Sequence, residues 1–599
     1  DEYFTTDDVA QEMKLRYSMA NEYGFYLAPG LAQRLGAAEL TTRVKAIHAF
    51  KAIADDAVMP LITLLRHPDG STVLGAISAL KAIKNSAAVP MLKLVAETGA
   101  DAQIKKAALE AVQEISPGAA SQSAYDLLVT QAKTFYLDSR YMSRTHHEPV
   151  TWKLEGDALT YADVHSWALN ELRAEQLLEV AMAQPGDDAS ARALFASVSI
   201  AQWVEYDAIR DQSQDEATQN ELRSEEPKML GIRIRANMES EPIILGALAG
   251  AMRDNRPLVA IGAIQVLNDR FPRGNRADTI PSVLAEAQNF PHRGVRFAAS
   301  ECIAYMNPKS SFSSADKVIP NLNEGLVEAG GRLALLVLED QDDENTAREK
   351  LRLSNVASFN VPNALDALHD ALAFPHDLII LGMQTQGMMT GELIGRLRND
   401  PRTQAVPILV MADDDMLTKA EQAFGNMAES GVQIVNYSIR PEALRDDVIA
   451  PLFAGNSDPR SRDIEIAGRA AEAIDFLATL NAGRDTIFDL SSTDRALVEV
   501  LENRTDIVRI PACHAVGKLG FADAIAPLKQ ILHEGDASSV DLRVAAIDAL
   551  GKVSRVAGSN DPEIAELLEA GLTSDEPMIR KVSASAIGNA GVKPAVYRD

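Results

Sequence analysis

The chain has 599 residues, 58 Lys and Arg against 85 Asp and Glu, a formal net charge of -27, and a composition 46% hydrophobic but only 5% aromatic. That field repels phosphate backbones and anionic lipid headgroups, so nucleic acid and bare membrane are excluded as general partners and protein surfaces are expected instead. Abundant Ala, Leu, Ile and Val with few aromatics favour closely packed helices over a β-protein. Cys302 and Cys513 lie in Ala-rich helical patterns and read as small buried thiols, not as a disulfide or metal site. No apolar run approaches the roughly 18 residues of a bilayer span, which leads to the expectation of a soluble protein. The start "DEYFTTDDVA" lacks Met. Signal-peptide removal would place the chain outside the cytoplasm, in the periplasm or at the cell surface, and any other origin leaves it cytoplasmic.

From the N-terminus, residues 1–119 carry a recurring helical frame. "TRVKAIHAF" places Arg43, Ala46 and Ala49 at helical spacing, and looser copies follow at 73–80 and 105–112. Small side chains three apart share one helix face and let the next helix come close. Between copies lie second apolar helices that open with Pro60 and Pro90, where a missing N–H costs nothing because the first turn has no intrahelical partner for it.

Residues 120–235 break the frame. "THHEPVTW" brings together His146, His147 and Glu148, with His165 further on, but neighbouring histidines point apart and the HExxH spacing is absent, so surface or structural histidines are the expectation. "PVTWKLEGDALTYADV" alternates apolar and polar residues around Gly156 and Asp157, the pattern of a β-hairpin. Two helices around a turn at 185–188 resemble a single tetratricopeptide-type hairpin. The polar stretch 210–228 reads as an exposed helix or a linker.

The frame returns in 236–328, as "VRFAASECIA" with Arg296, Ala299 and Cys302, beside a second helix marked by Pro281. Near Gly331 it stops. In 329–456 the apolar runs 333–340, 376–382, 406–413 and 431–438, with a weaker one near 355–361, alternate with helical stretches. Such runs indicate a parallel sheet covered on both faces, one α/β domain set into a helical array.

This segment resembles bacterial response-regulator receiver domains. The likeness lies in Glu339 and Asp340 after the first strand, in "DLIIL", in "RNDPRTQAVPILV", and in Arg440-Pro441 after the last strand. The resemblance implies a flavodoxin-like fold, and the phosphorylation chemistry of the family is missing from it. Gly382 stands where the phosphorylated carboxylate belongs, Ala412 where a hydroxyl reads the phosphate, and Arg440 where a Lys is usual. The loop "GMQTQGMMTG" is one residue longer than is usual in that family and lacks the customary Pro. Glu339 and Asp340 alone offer a thin oxygen set for a cation, whether they hold one stays open, and solvent-facing acids are the better expectation. Thr385 and Ser438 read as polar loop residues, and "DQDDEN" as a loop and helix start.

The frame closes the chain in 457–599 as "VRIPACHAVG", "LRVAAIDALG" and "IRKVSASAIG", with Arg509, Arg543 and Arg580 in register and the companion helix at Pro527. Together the copies resemble HEAT repeats, including the short variety also found in phycobilin lyases. That resemblance implies a mainly α solenoid that binds proteins along extended surfaces.

No catalytic residue, metal ligand or cofactor site is expected. The function expected is a non-catalytic interaction scaffold or assembly subunit. Alternatives are a signalling adaptor whose insert switches without phosphorylation, and, on fold likeness alone, a bilin-lyase-like enzyme.

Overall fold

The computed structural model describes residues 2–137, 149–184, 189–212, 216–271, 273–274, 276–327, 332–354, 356–373, 376–452, 461–503, 505–559 and 561–591. The chain forms two compact units, one ending at Trp203 and one beginning at Val204. His146, His147, Glu148 and the turn at 185–188 lie outside the described residues.

In the first unit the frame-bearing helices Leu40–Ile53, Gly70–Ile83 and Ala102–Ile115 stack on one another, and the companions Val58–Leu64 and Val89–Thr98 pack alongside. Pro60 and Pro90 fall in the first turns of those companions, where they leave no bond unmade. The hairpin at Gly156-Asp157 is present as antiparallel strands β1 (Val150–Glu155) and β2 (Ala158–Asp163). It seats Trp152 edge-on to Phe25, with ring centroids 5.9 Å apart. The two helices expected after it are Leu169–Met182 and Ala189–Gln212, the second of which continues past Trp203.

After the end of helix Ala189–Gln212, the second unit continues with a helix, Glu216–Met238, over most of the stretch whose polar composition fitted helix and linker equally. Six helices then follow one another side by side: Pro257–Arg270, Arg293–Met306, Ser461–Ala482, Asp506–Leu519, Val540–Ala557 and Pro577–Ala590. Companions Ser282–Ala287, Val318–Val327, Asp494–Asn503, Ile525–His533 and Pro562–Leu572 flank this row. The small-residue frame sets the spacing, since Ala512, Ala515, Ala546, Ser583 and Ala586 are all buried. Glycines at one register show how tight it is. A Cβ on Gly517 would lie 3.0 Å from Ala549 Cα, and one on Gly551 would lie 2.7 Å from the Ala586 carbonyl oxygen. The equivalent Gly588, on the last helix of the row, faces open space.

In three copies of the frame the Arg has the same task, whereas Arg509 pairs with Glu534 and Arg543 with Asp536. Arg43, Arg296 and Arg580 each reach back to the carbonyls six and five residues earlier, capping the turn that precedes their own helix. A turn between packed helices leaves carbonyls unpaired. A guanidinium fork satisfies two at once.

Between Val327 and Ser461 the chain leaves the helical row and builds a five-stranded parallel sheet. Its strands are β3 (Arg332–Val337), β4 (Val356–Asn360), β5 (Leu378–Gly382), β6 (Ile408–Ala412) and β7 (Val432–Asn436), in the order β4-β3-β5-β6-β7. Each strand coincides with one of the apolar runs. Leu335, Val337, Ile379 and Leu381 pack on one face, and Leu336, Ile380, Leu409 and Met411 on the other. Helices Ala364–Ala373 and Thr390–Asn399 cover the first face, and Gln341–Leu353 the second. Both faces are therefore dry, as continuous apolar strands require.

Candidate functional site

In an open parallel sheet, ligands bind at the carboxyl ends of the strands where the strand order reverses. Here that point lies between β3 and β5, beside Leu338, Glu339 and Gly382. The chain's own groups occupy it. A Cβ on Gly382 would meet the Gln384 carbonyl oxygen at 3.1 Å, so the loop would have to give by a few tenths of an ångström, and would touch the Leu338 side chain at an ordinary 3.6 Å. The Gly382 carbonyl accepts from Thr390 Oγ1 at 3.1 Å, and Thr385 Oγ1 donates to the Met388 carbonyl at 2.7 Å. Asn360 closes the other side: its Oδ1 accepts from Leu338 N, and its Nδ2 donates to the Leu338 carbonyl and to Glu344 Oε2, each at 3.0 Å.

The acidic groups around this mouth are also engaged. Asp340 is the N-cap of helix Gln341–Leu353, with Oδ1 accepting from the backbone N–H of Asp342 at 2.8 Å, so "DQDDEN" is a cap and a first turn. Glu339 is exposed. Burial, then the charges of Asp413 and Asp340, push the Asp343 carboxyl above its ordinary value. Burial and the same acids push the Tyr437 hydroxyl up, and burial lowers Lys350, whose ammonium donates to the Tyr437 carbonyl. Ala412 is buried, and Ser438 and Arg440 are exposed beyond the end of β7. Among the described residues, no group of three or more His, Cys, Asp and Glu side chains could hold a metal ion. His165 stacks on Trp167 at 5.4 Å.

The strongest polar arrangement lies elsewhere, where the sheet domain meets the helices. Arg402, in the loop between helix Thr390–Asn399 and β6, binds Asp400 at 2.9 Å and Glu205 at 3.3 Å. Glu205 lies in the part of helix Ala189–Gln212 that belongs to the second unit, and it also takes Arg256 at 2.8 Å, just before helix Pro257–Arg270. Side-chain exposure is 2% for Glu205 and Arg256, 10% for Arg402 and 12% for Asp400. Burial alone would push the Asp400 carboxyl up, but the charge and hydrogen bonds of Arg402 hold it below the ordinary range. Such a cluster is costly to desolvate, and removing one member would leave a charge buried without its partner.

A second seam joins the helices on either side of the sheet domain. Helix Ser461–Ala482 packs directly on Arg293–Met306 and Val318–Val327. Arg469 forks onto both Glu301 oxygens and lies over the Phe297 ring, and the Tyr305 and Phe476 rings meet at 5.4 Å. Asn307 Nδ2 donates to the Asp485 carbonyl at 3.0 Å. The helical row thus runs on past the point where the α/β segment leaves it.

No sequence motif marks the clamp: Asp400 and Arg402 stand within "RNDPRTQAVPILV", far along the chain from Glu205. Its signal was an acid within "SIAQWVEYDAI", a run otherwise apolar enough to be buried, and Arg256 stands likewise before "PLVAIGAIQVL".

A family model of HEAT repeats matches residues 28–113 and 494–588. No curated protein matches the chain. Among solved structures, an engineered protein aligns at 13% identity over 98% of this chain and 97% of its own, with a TM-score of 0.24. The S. pombe condensin Cnd3-Cnd2 subcomplex aligns at 12% over 100% and 72%, TM-score 0.19. UNC-45 from Drosophila melanogaster aligns at 12% over 97% and 78%, TM-score 0.17. At these scores the superpositions bear on nothing further. The mainly helical chain carries HEAT repeats at both matched segments, and among the described residues no helix is long and apolar enough to cross a membrane.

Proposed function

We propose that this chain is a non-catalytic scaffold or assembly subunit, in which a degenerate receiver-type domain is held as a fixed wall of a HEAT-type array. The observation that carries this is the Arg402–Glu205–Arg256 clamp, with its buried charges bridging the α/β segment to the helices. A switching domain needs two arrangements of similar free energy. A buried ion cluster disfavours any arrangement that parts its members, because each separated charge would stay desolvated and unpaired.

The receiver-type identity rests on the strand order β4-β3-β5-β6-β7, the flavodoxin-like order, and on the matching residues around β5 and β6. Aspartyl phosphorylation has no acceptor at Gly382, which has no side chain. Repeat helices supply extended surface, and the five domains read from the sequence, 1–119, 120–235, 236–328, 329–456 and 457–599, are its proposed parts.

Isolation of the native particle from extract at low dilution, with mass determination of the intact assembly, tests the proposal. A stable stoichiometric complex is the expected result. A bare monomer of this chain would overturn the assembly-subunit role.

A further inference from the structure

Helices Ala124–Tyr136 and Leu169–Met182 pack against each other in the first unit. Their buried side chains are mostly apolar, among them Leu128, Ala132, Phe135, Ala174, Leu178 and Ala181. Arg173 enters this pair half-buried, its guanidinium over the Phe135 ring at 5.7 Å from the centroid. Among the described residues, no carboxylate or other hydrogen-bond acceptor meets it. Arg256, Arg402, Arg469 and Arg509 are also sheltered, and each of them holds a carboxylate.

Helical spacing explains the missing acid. The residues that share the face of Arg173 on its own helix, three and four positions away, are Leu169, Asn170, Gln176 and Leu177, and none is charged. Glu171 and Glu175, two positions away, point to other sides, and Glu175 takes Gln202 Nε2 at 2.8 Å. The neighbours of Phe135 on its helix are Gln131 and Ala132. Burial pushes the guanidinium down to about 10, and no neighbouring charge holds it up. In a chain with 85 acidic residues against 58 basic ones, a sheltered cation whose N–H fork is unfilled is an exception, and it calls for an acceptor from outside.

We propose that Arg173 is the anchor for a carboxylate presented by an Asp or Glu side chain of a partner protein, which completes the ion pair that this fold leaves half-made. A guanidinium fork takes one carboxylate through two parallel bonds, and desolvated Arg side chains are the usual anchors of protein interfaces. Leu169, Leu177 and Phe135 beside it suit apolar neighbours of that acid. A phosphate backbone or an anionic bilayer needs several cations, and the residues that share this face supply no second one. This deepens the scaffold reading and rests on it, naming one contact and its chemistry.

The test titrates the full chain with sodium glutarate as a carboxylate probe, at an ionic strength held constant with sodium chloride, and reads amide hydrogen exchange in residues 124–136 and 169–182. At about 50 mM glutarate, exchange there is expected to slow about threefold or more, while helix Val540–Ala557 stays unchanged. Arg173→Gln, checked for folding by circular dichroism, is expected to lose the response. Arg173→Lys is expected to keep part of it, because a point charge replaces the fork. In the native particle, Arg173→Gln is expected to weaken retention of the partner about tenfold or more. No response, an equal response in Arg173→Gln, or a response to inorganic phosphate but not to glutarate would overturn the proposal. A native complex that Arg173→Gln leaves intact would also overturn it and would leave the scaffold standing. A bare monomer would overturn the scaffold reading and this contact with it.

Discussion

Replacing Arg402 by Met isolates the clamp, because Met keeps much of the volume and removes the charge. Glu205 keeps Arg256 at 2.8 Å, so its carboxylate is not left alone, whereas Asp400 loses the guanidinium that bonds it at 2.9 Å. Breaking a buried pair by deleting one partner costs about 3–5 kcal/mol, and the remaining Arg256 contact argues for about 3. A chain of several units does not unfold in two states, so global denaturation would blur this effect. Amide hydrogen exchange resolves it: β6 and the loop before it should open about a hundredfold more readily, while helix Val540–Ala557 should be unchanged. In a double-mutant cycle with Glu205→Gln, the two changes should couple by roughly 1 kcal/mol or more. Exchange within about threefold of the parent, with no coupling, would refute the clamp.

Acid gives a second handle on the same cluster. The Asp400 carboxyl is depressed in the folded chain, so its contribution is complete above the ordinary carboxylate range near 4 and is lost as pH falls through the lower folded value. Loop opening by hydrogen exchange should therefore rise only at strongly acid pH in the parent. In Arg402→Met, where burial acts unopposed and lifts the folded carboxyl above its open value, the sign reverses: opening should be raised at neutral pH and fall as acid protonates Asp400. At the repeats, Gly551→Ala should destabilise the docking of helix Pro577–Ala590 by about 1–3 kcal/mol through overpacking, because its Cβ would lie 2.7 Å from the Ala586 carbonyl. Gly588→Ala, at the same register with open space, should stabilise that helix by about 0.5–1 kcal/mol, and exchange in residues 577–590 reads both. Gly382→Asp should remain unmodified after incubation with acetyl phosphate and magnesium. A phosphoryl adduct in its intact mass would show that the crowding at Gln384 yields.

Much of the fold was legible because it rests on periodicity. The small residues around Arg43, Arg296, Arg509, Arg543 and Arg580 announced close helix packing, and the apolar runs at 333–340 and 406–413 announced strands dry on both faces. What Arg43, Arg296 and Arg580 do was not legible, since their carbonyl partners lie in the preceding turn and only the folded turn aims them at the guanidinium. Nor was the continuity of the array past the insert, because nothing local in "VRFAASECIA" says that its neighbour begins at Ser461. At the candidate site, the absence of any side chain at Gly382 could be read directly from residue type. The clamp could not, since its members Glu205, Arg256 and Arg402 are far apart in sequence and each looks like an ordinary surface charge until burial is known. The stretch 210–228 was ambiguous because its polar composition fits an exposed helix and a linker alike.

The most direct test is a distance distribution between spin labels on the α/β segment and on the repeats, at Lys419→Cys and Arg555→Cys. Both sites are exposed, while Cys302 and Cys513 are buried, their thiols pushed up by that burial, Cys513 to about 12, and so inert to the label. One narrow distribution, the same with and without acetyl phosphate and magnesium, is the result expected of a fixed wall. Two distances, or one that moves with the phosphoryl donor, would contradict it and make the segment a switch.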